Sequence, residues 1–175
     1  MLARTLDLAR TQPAAAAAVA IAVLGIATIA GFFFFQYALG YPPCPLCLEQ
    51  RYAYYISVPL AAMVLLGLSV GSSRKVLMLA LLAIAAAMLW NAGLGAYHSG
   101  VEWRWWPGPA DCSGPMTDLK ANGPLLDQLQ SVHVVRCDEA AWRFLGLSLA
   151  GYNVLISLVM AALAVGGLRV LTGRE

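Results

Sequence analysis

Residues 76–101 read VLMLALLAIAAAMLWNAGLGAYHSGV, a run without a single Asp, Glu, Lys or Arg. A helix needs about 20 such apolar residues to cross a hydrocarbon core about 30 Å thick. Charge is also absent between Arg10 and Glu49, from Tyr52 to Ser73, and from Phe144 to Leu168. Hydrocarbon gives the backbone no hydrogen-bond partner, so these runs are expected to be helices. Spans are predicted near Ala14–Phe35, Tyr52–Leu68, Val76–Ala96 and Phe144–Val165. The expected fold is therefore an all-α membrane protein, a four-transmembrane-helix bundle forming one domain over residues 1–175, rather than a water-soluble bundle. Composition agrees. The chain is 61% hydrophobic and 11% charged, where soluble domains carry about a quarter charged residues.

The run after Arg10 is longer than the apolar segment of a signal peptide, and Phe32–Phe35 follow it where small residues would mark a cleavage site. It reads as an uncleaved first helix. Four spans place both termini on one side, with the tight turn at Gly71–Lys75. That side holds Arg4, Arg10, Arg74, Lys75, Arg169 and Arg174 against Asp7 and Glu175, a net +4. The opposite side sums to −2. The excess of Arg and Lys predicts cytoplasmic termini. The overall charge of +2 is too small to argue for nucleic acid.

Two loops then face the far side, at about 36–50 and 97–143. They contain all four cysteines, Cys44 and Cys47 in the first and Cys112 and Cys137 in the second. That is the side where disulfides persist. The tryptophans at 103, 105, 106 and 142 lie there too, as an interfacial aromatic belt would. Within the long loop, Leu125, Leu126, Leu129 and Val132 fall near one helical face, which suits a short helix lying flat on the bilayer or a plain loop.

The first loop ends in CPLCLEQR, residues 44–51. A residue before proline is pushed out of helical geometry, and proline suits the first helical position. A helix is expected to start at Pro45, capped by Cys44, with Cys47 in its electropositive first turn. Arg51 follows on the same face. A helix start and a nearby cation both favour thiolate, the form that attacks disulfides. A disulfide across so short a ring stabilises a fold little, so redox use explains the spacing better than a purely structural bond. A Cys₄ zinc site is a weaker rival, since Cys112 and Cys137 do not form the second close-spaced pair that such sites usually use. Neighbourhood favours the pairings 44–47 and 112–137. The second pair closes a long Pro- and Gly-rich loop, and its composition suits a structural bond and a redox loop equally.

Two dithiol pairs on one side of a membrane point to a relay by thiol–disulfide exchange. A pair at the membrane edge points to a lipid-dissolved acceptor, which a quinone fits. Arg51 would stabilise charge developing on a quinone oxygen. His98 emerges on the same side, where it would hydrogen-bond the acceptor, pass a proton, or simply sit at the interface. Asn91 would line the same cavity or link helices. The alternative is a non-catalytic membrane protein with structural disulfides or bound zinc.

These residues resemble the DsbB family of bacterial disulfide bond formation proteins. The resemblance rests on CPLCLEQR, YHSGVEWRWWPGPADCSGP and CDEAAWRFLGLSLAGYN, and spans essentially the whole chain. It implies a thiol:quinone oxidoreductase of the bacterial inner membrane that reoxidises a periplasmic, thioredoxin-fold DsbA-like partner. By similarity, Cys112 is attacked by the partner and Cys137 is its pair. Electrons then pass to Cys44 and Cys47 and on to ubiquinone or menaquinone, with Cys47 nearest the quinone and Arg51 binding it. The Cys-x-x-Cys precedes the loop pair, the reverse of the order in vitamin K epoxide reductase-like proteins. The tryptophan-rich loop departs from the best-known members, so the resemblance does not fix which DsbA-like protein is met.

Overall fold

The computed structural model describes residues 2–109 and 136–173, with side chains from residue 13 onward. Helix α1 runs over Leu2–Phe33 and ends in a π-helical turn, Phe34–Ala38. Helix α2 covers Pro45–Ser69, α3 Arg74–Glu102 and α4 Leu149–Thr172. Each is long and apolar enough to span a membrane. The chain is a multi-pass, four-helix membrane protein.

The helices begin and end where local chemistry dictates. Cys44 is extended (φ −74°, ψ 165°) and caps α2, with Pro45 as its first residue. Helix α2 therefore starts well before the charge-free run at Tyr52. Helix α3 continues past Ala96 to Glu102, because nothing in AYHSGVE breaks it. Helix α4 starts later than Phe144. A two-residue turn with Leu145 (φ 50°) and Gly146 (φ 82°) joins strands β1, Arg143–Phe144, and β2, Leu147–Ser148. Positive φ at both central residues is what a hairpin of this length needs. Ser148 then caps α4, its Oγ accepting from the Gly151 amide at 3.2 Å.

Helices α3 and α4 share the most extensive interface, and α1–α2, α2–α3 and α1–α4 contacts close the ring. The core is built from Ala18, Ile21, Tyr54, Val64, Leu81, Ile84, Met88 and Met160, among others. In lipid there is no hydrophobic drive between helices, so close approach matters more. Gly95 provides it. A Cβ there would lie 3.0 Å from Val154 Cγ2, 3.1 Å from Asn153 Nδ2 and 3.3 Å from the Ala150 carbonyl. The outer face is apolar, with Leu66, Leu79 and Trp90 exposed, as lipid contact requires. Toward the cysteine end the interior turns polar instead, with Gln50, Asn91, His98, Glu102, Asn153 and Ser157 all buried.

After α3 the chain folds back. The Trp106 indole lies over Gly100, donates to the Tyr97 carbonyl at 2.9 Å and stacks on the Tyr97 ring. Trp142 packs edge-on against Phe35, with ring centres 5.2 Å apart.

Candidate functional site

Cys44 and Cys47 form a disulfide at the start of α2, their Cα atoms 5.0 Å apart. The Cys44 sulfur also accepts from the Cys47 amide at 3.2 Å, so a disulfide sulfur is itself the helix cap. Cys137 is disulfide-bonded as well. Cys112 lies outside the described residues, as does the amphipathic stretch at 125–132. Cys44 and Cys137 are both almost fully buried and share one small cluster with Leu46 and Val101. Cys44 and Cys137, far apart in sequence, therefore share one buried cluster.

A cavity of about 100 Å³ opens beside them, lined by Cys44, Cys47, Arg51, His98, Phe32 and Phe35 among others. Arg51 is buried. Its NH1 donates to Gln36 Oε1 at 2.8 Å, and its guanidinium carbon sits 5.4 Å from the Phe32 ring centre and 5.8 Å from that of Phe33. Gln36 comes from the π-helical turn, a local widening often found at functional sites. The Arg51 Nε has no hydrogen-bond partner among the described residues. An orphaned buried donor is costly to leave unmatched, so this atom is free to meet an oxygen acceptor.

A larger apolar groove of about 490 Å³ adjoins the cavity, sharing Phe32, Phe35, Leu149 and Asn153 with it. It lies between α1 and α4 and is walled by Leu24, Gly31, Trp142, Tyr152 and Ile156, among others. Trp142 is thus a wall residue of this groove.

His98 lies beside Cys44 and Cys137. Its Nε2 is 3.7 Å from Cys44 Sγ and 3.8 Å from Glu102 Oε1, and its ring hydrogen-bonds the Cys137 backbone. Its Nδ1 is 2.9 Å from Gln50 Nε2. The Sγ atoms of Cys44 and Cys47 and a His98 ring nitrogen lie within 4.8 Å of one another. That spacing serves a metal only once the disulfide is reduced.

Sequence alone does not mark Gln50, Glu102 or Asn153 as site residues; only Asn153 carries a signal, as a polar residue inside the charge-free run 144–168. Asn91 donates to Asn153 and Ser157 of α4, linking helices rather than lining the cavity. Beside Cys137, Arg136 makes a two-point ion pair with Asp138, at 2.9 and 2.7 Å. This hydrogen bonding holds the Asp138 carboxyl below its ordinary range and pushes the Arg136 guanidinium up.

The site has relatives. The chain is 29% identical over 142 residues to disulfide bond formation protein B of Aromatoleum aromaticum, covering 79% of this chain and 83% of that one. It is 34% identical over 142 residues to the protein of that name from a Psychrobacter species, covering 71% and 72%. For the Xanthomonas oryzae protein the figures are 31% over 157 residues, 82% and 87%. No solved structure matches the chain. The model of the family "Disulfide bond formation protein DsbB" matches residues 13–166, so the chain belongs to the DsbB family.

Proposed function

We propose that this protein is a thiol:quinone oxidoreductase of the bacterial inner membrane, with cytoplasmic termini and periplasmic cysteines. It takes two electrons from a DsbA-like dithiol at Cys112 and Cys137, and passes them through Cys44 and Cys47 to a membrane quinone. The observation that carries this reading is the burial of Cys44 and Cys137 in one cluster, with Arg51 lining the adjoining cavity.

Each step balances. The Cys137 thiolate, freed when the partner is captured at Cys112, attacks Cys44 Sγ. The Cys44–Cys47 bond breaks and Cys47 leaves as thiolate in the first turn of α2, where the helix dipole favours negative charge. The partner's second thiolate then attacks its own sulfur in the mixed disulfide, which releases the oxidised partner and frees Cys112 as thiolate. Cys112 attacks Cys137, their disulfide reforms, and Cys44 leaves as thiolate. The pair Cys44 and Cys47 now holds both electrons.

The residues present fit a quinone. Phe32 and Phe35 offer flat apolar walls, Arg51 an unmatched donor, and the α1–α4 groove an apolar exit toward lipid. A bound quinone supplies an acceptor for two electrons and two protons. Arg51 would hold its oxygen, and His98 would line the same cavity near Cys44.

The test is quinone reduction by purified protein given a reduced periplasmic dithiol partner, with Cys47→Ser and Cys112→Ser alongside. One quinone consumed per dithiol, and none in either variant, is the expected result. Intact disulfides and unreacted quinone would make the pairs structural, the rival reading.

A further inference from the structure

A chain of side-chain amides runs inward from the redox disulfide. Gln50 Nε2 donates to the Leu46 carbonyl at 3.2 Å and lies 2.9 Å from His98 Nδ1. Gln50 Oε1 accepts from Asn153 Nδ2, and Asn153 Oδ1 accepts from Tyr54 OH at 2.6 Å and from Asn91 at 3.2 Å. The direction of this chain is not arbitrary. A backbone carbonyl only accepts, so the Gln50 nitrogen must face Leu46. The same nitrogen faces His98, so Nδ1 must accept and Nε2 must carry the ring proton. Gln50, His98 and Asn153 are each 3% exposed, so water does not compete for these bonds.

The Nε2–H then has Cys44 Sγ within reach at 3.7 Å, and shares itself with the Cys137 backbone. The Cys47 amide reaches the same sulfur from the other element, at 3.2 Å. Two N–H groups therefore lie within reach of one sulfur. We propose that they form a thiolate cradle for Cys44, and that Gln50 is the positioning residue that holds His98 in the donating tautomer. The inference rests on the relay reading above.

Its chemistry is simple. When an S–S bond to Cys44 breaks by attack on the partner sulfur, the new bond forms at that partner and the electron pair stays on Cys44. The attacking thiolate's charge has moved to Cys44, and no electron is gained or lost overall. His98 keeps its proton and donates a hydrogen bond to the new anion. It also faces Glu102 Oε1 at 3.8 Å and hydrogen-bonds the Cys137 backbone. A charge-assisted bond is shorter and about twice as strong as a neutral one, so the donor turns to Cys44 when charge arrives there. The other charged groups around the cavity are Arg51 from α2 and Arg136 and Glu139 from the segment before α4. All are retained in the comparison below and so cancel.

The experiment uses the full chain in detergent, with Cys47, Cys112 and Cys137 replaced by Ser so that only Cys44 reacts. The alkylation rate against pH gives its thiolate titration. Gln50→Leu and His98→Phe are each expected to raise it by about one pH unit, tenfold less thiolate on the acid side. His98→Gln, which can present an amide N–H in place of Nε2–H, is expected to recover more than half of that shift. A purely structural role would lower the melting temperature and leave the titration unmoved, which would overturn the proposal. Should the variants fail to fold, imidazole ¹⁵N shifts of the unsubstituted protein decide the matter. A dominant Nε2–H form at His98 supports the cradle, and a dominant Nδ1–H form refutes it. Neither readout needs quinone or partner, so failure of the relay and failure of the cradle are distinguishable.

Discussion

In the proposed relay, replacing Arg51 by Met is expected to separate the quinone side of the site from the exchange side. The guanidinium is buried, donates once to Gln36, and keeps its Nε unmatched among the described residues. A hydrogen bond from a charged donor to a bound oxygen is worth about 1.5–3 kcal/mol, or about 10- to 150-fold in apparent quinone affinity. The fold is expected to tolerate the change. Loss of contacts to Phe32 and Phe33, about 0.5–1 kcal/mol each, is offset because burying an incompletely matched cation costs about as much as it returns. Gln36 is only partly buried and can turn to water. Two assays on the same preparation make the test. Steady-state reduction of a short-tailed quinone gives the apparent KM. Single-turnover mixing with reduced partner, without quinone, gives the exchange rate. The KM is expected to rise at least tenfold while exchange changes less than about twofold. Equal loss in both would show that Arg51 acts on the cysteines alone, and would refute its quinone-side role.

Other perturbations are equally direct. Gly31 lines the α1–α4 groove, and a Cβ there meets nothing within 4 Å, so Gly31→Leu should fold normally. It should raise the apparent KM of a long-tailed quinone several-fold more than that of a tail-less one, and identical effects would remove the groove from the binding site. Gly95→Ala overpacks the α3–α4 contact at 3.0–3.3 Å and should cost about 1–3 kcal/mol, seen as a lower melting temperature in detergent. The Arg136–Asp138 pair depresses the Asp138 carboxyl. Its contribution is therefore present above the ordinary carboxylate pKa of about 3.9 and is lost as pH falls through the lower folded value. Hydrogen exchange around Cys137 in Asp138→Asn should differ from the parent by a constant factor between about pH 5 and 8, and converge with it only in stronger acid.

Much of this was legible in the sequence because the signals are local. Charge-free runs of spanning length mark the four helices, and Cys-Pro marks the start of α2 with Cys44 as its cap. Helical spacing brings Cys47 and Arg51 to one cavity. The less legible parts depend on contacts between segments far apart. His98 and Cys44 are 54 positions apart, and Asn153 and Gln50 are 103 apart. No periodicity encodes such a meeting. Gln50 stands beside Glu49 at the edge of a span, where a polar residue reads as solvated, and only the approach of α4 at Gly95 turns it into an interior group. Likewise Glu102 reads as a loop acid until α3 is seen to continue through it.

The closed ring of helices has a consequence for biosynthesis. Helix α4 follows the other three in chain order, and a chain emerging from the ribosome makes it after them. Yet α4 supplies Asn153, which orients Gln50, and one whole side of the apolar groove. A nascent chain holding only α1–α3 already carries Cys44, Cys47, Arg51 and His98, but with the groove open along its length and Gln50 unfixed. The last helix to arrive completes the groove and the amide chain, so under the proposed relay a partly made chain is poorly equipped to draw electrons from its surroundings.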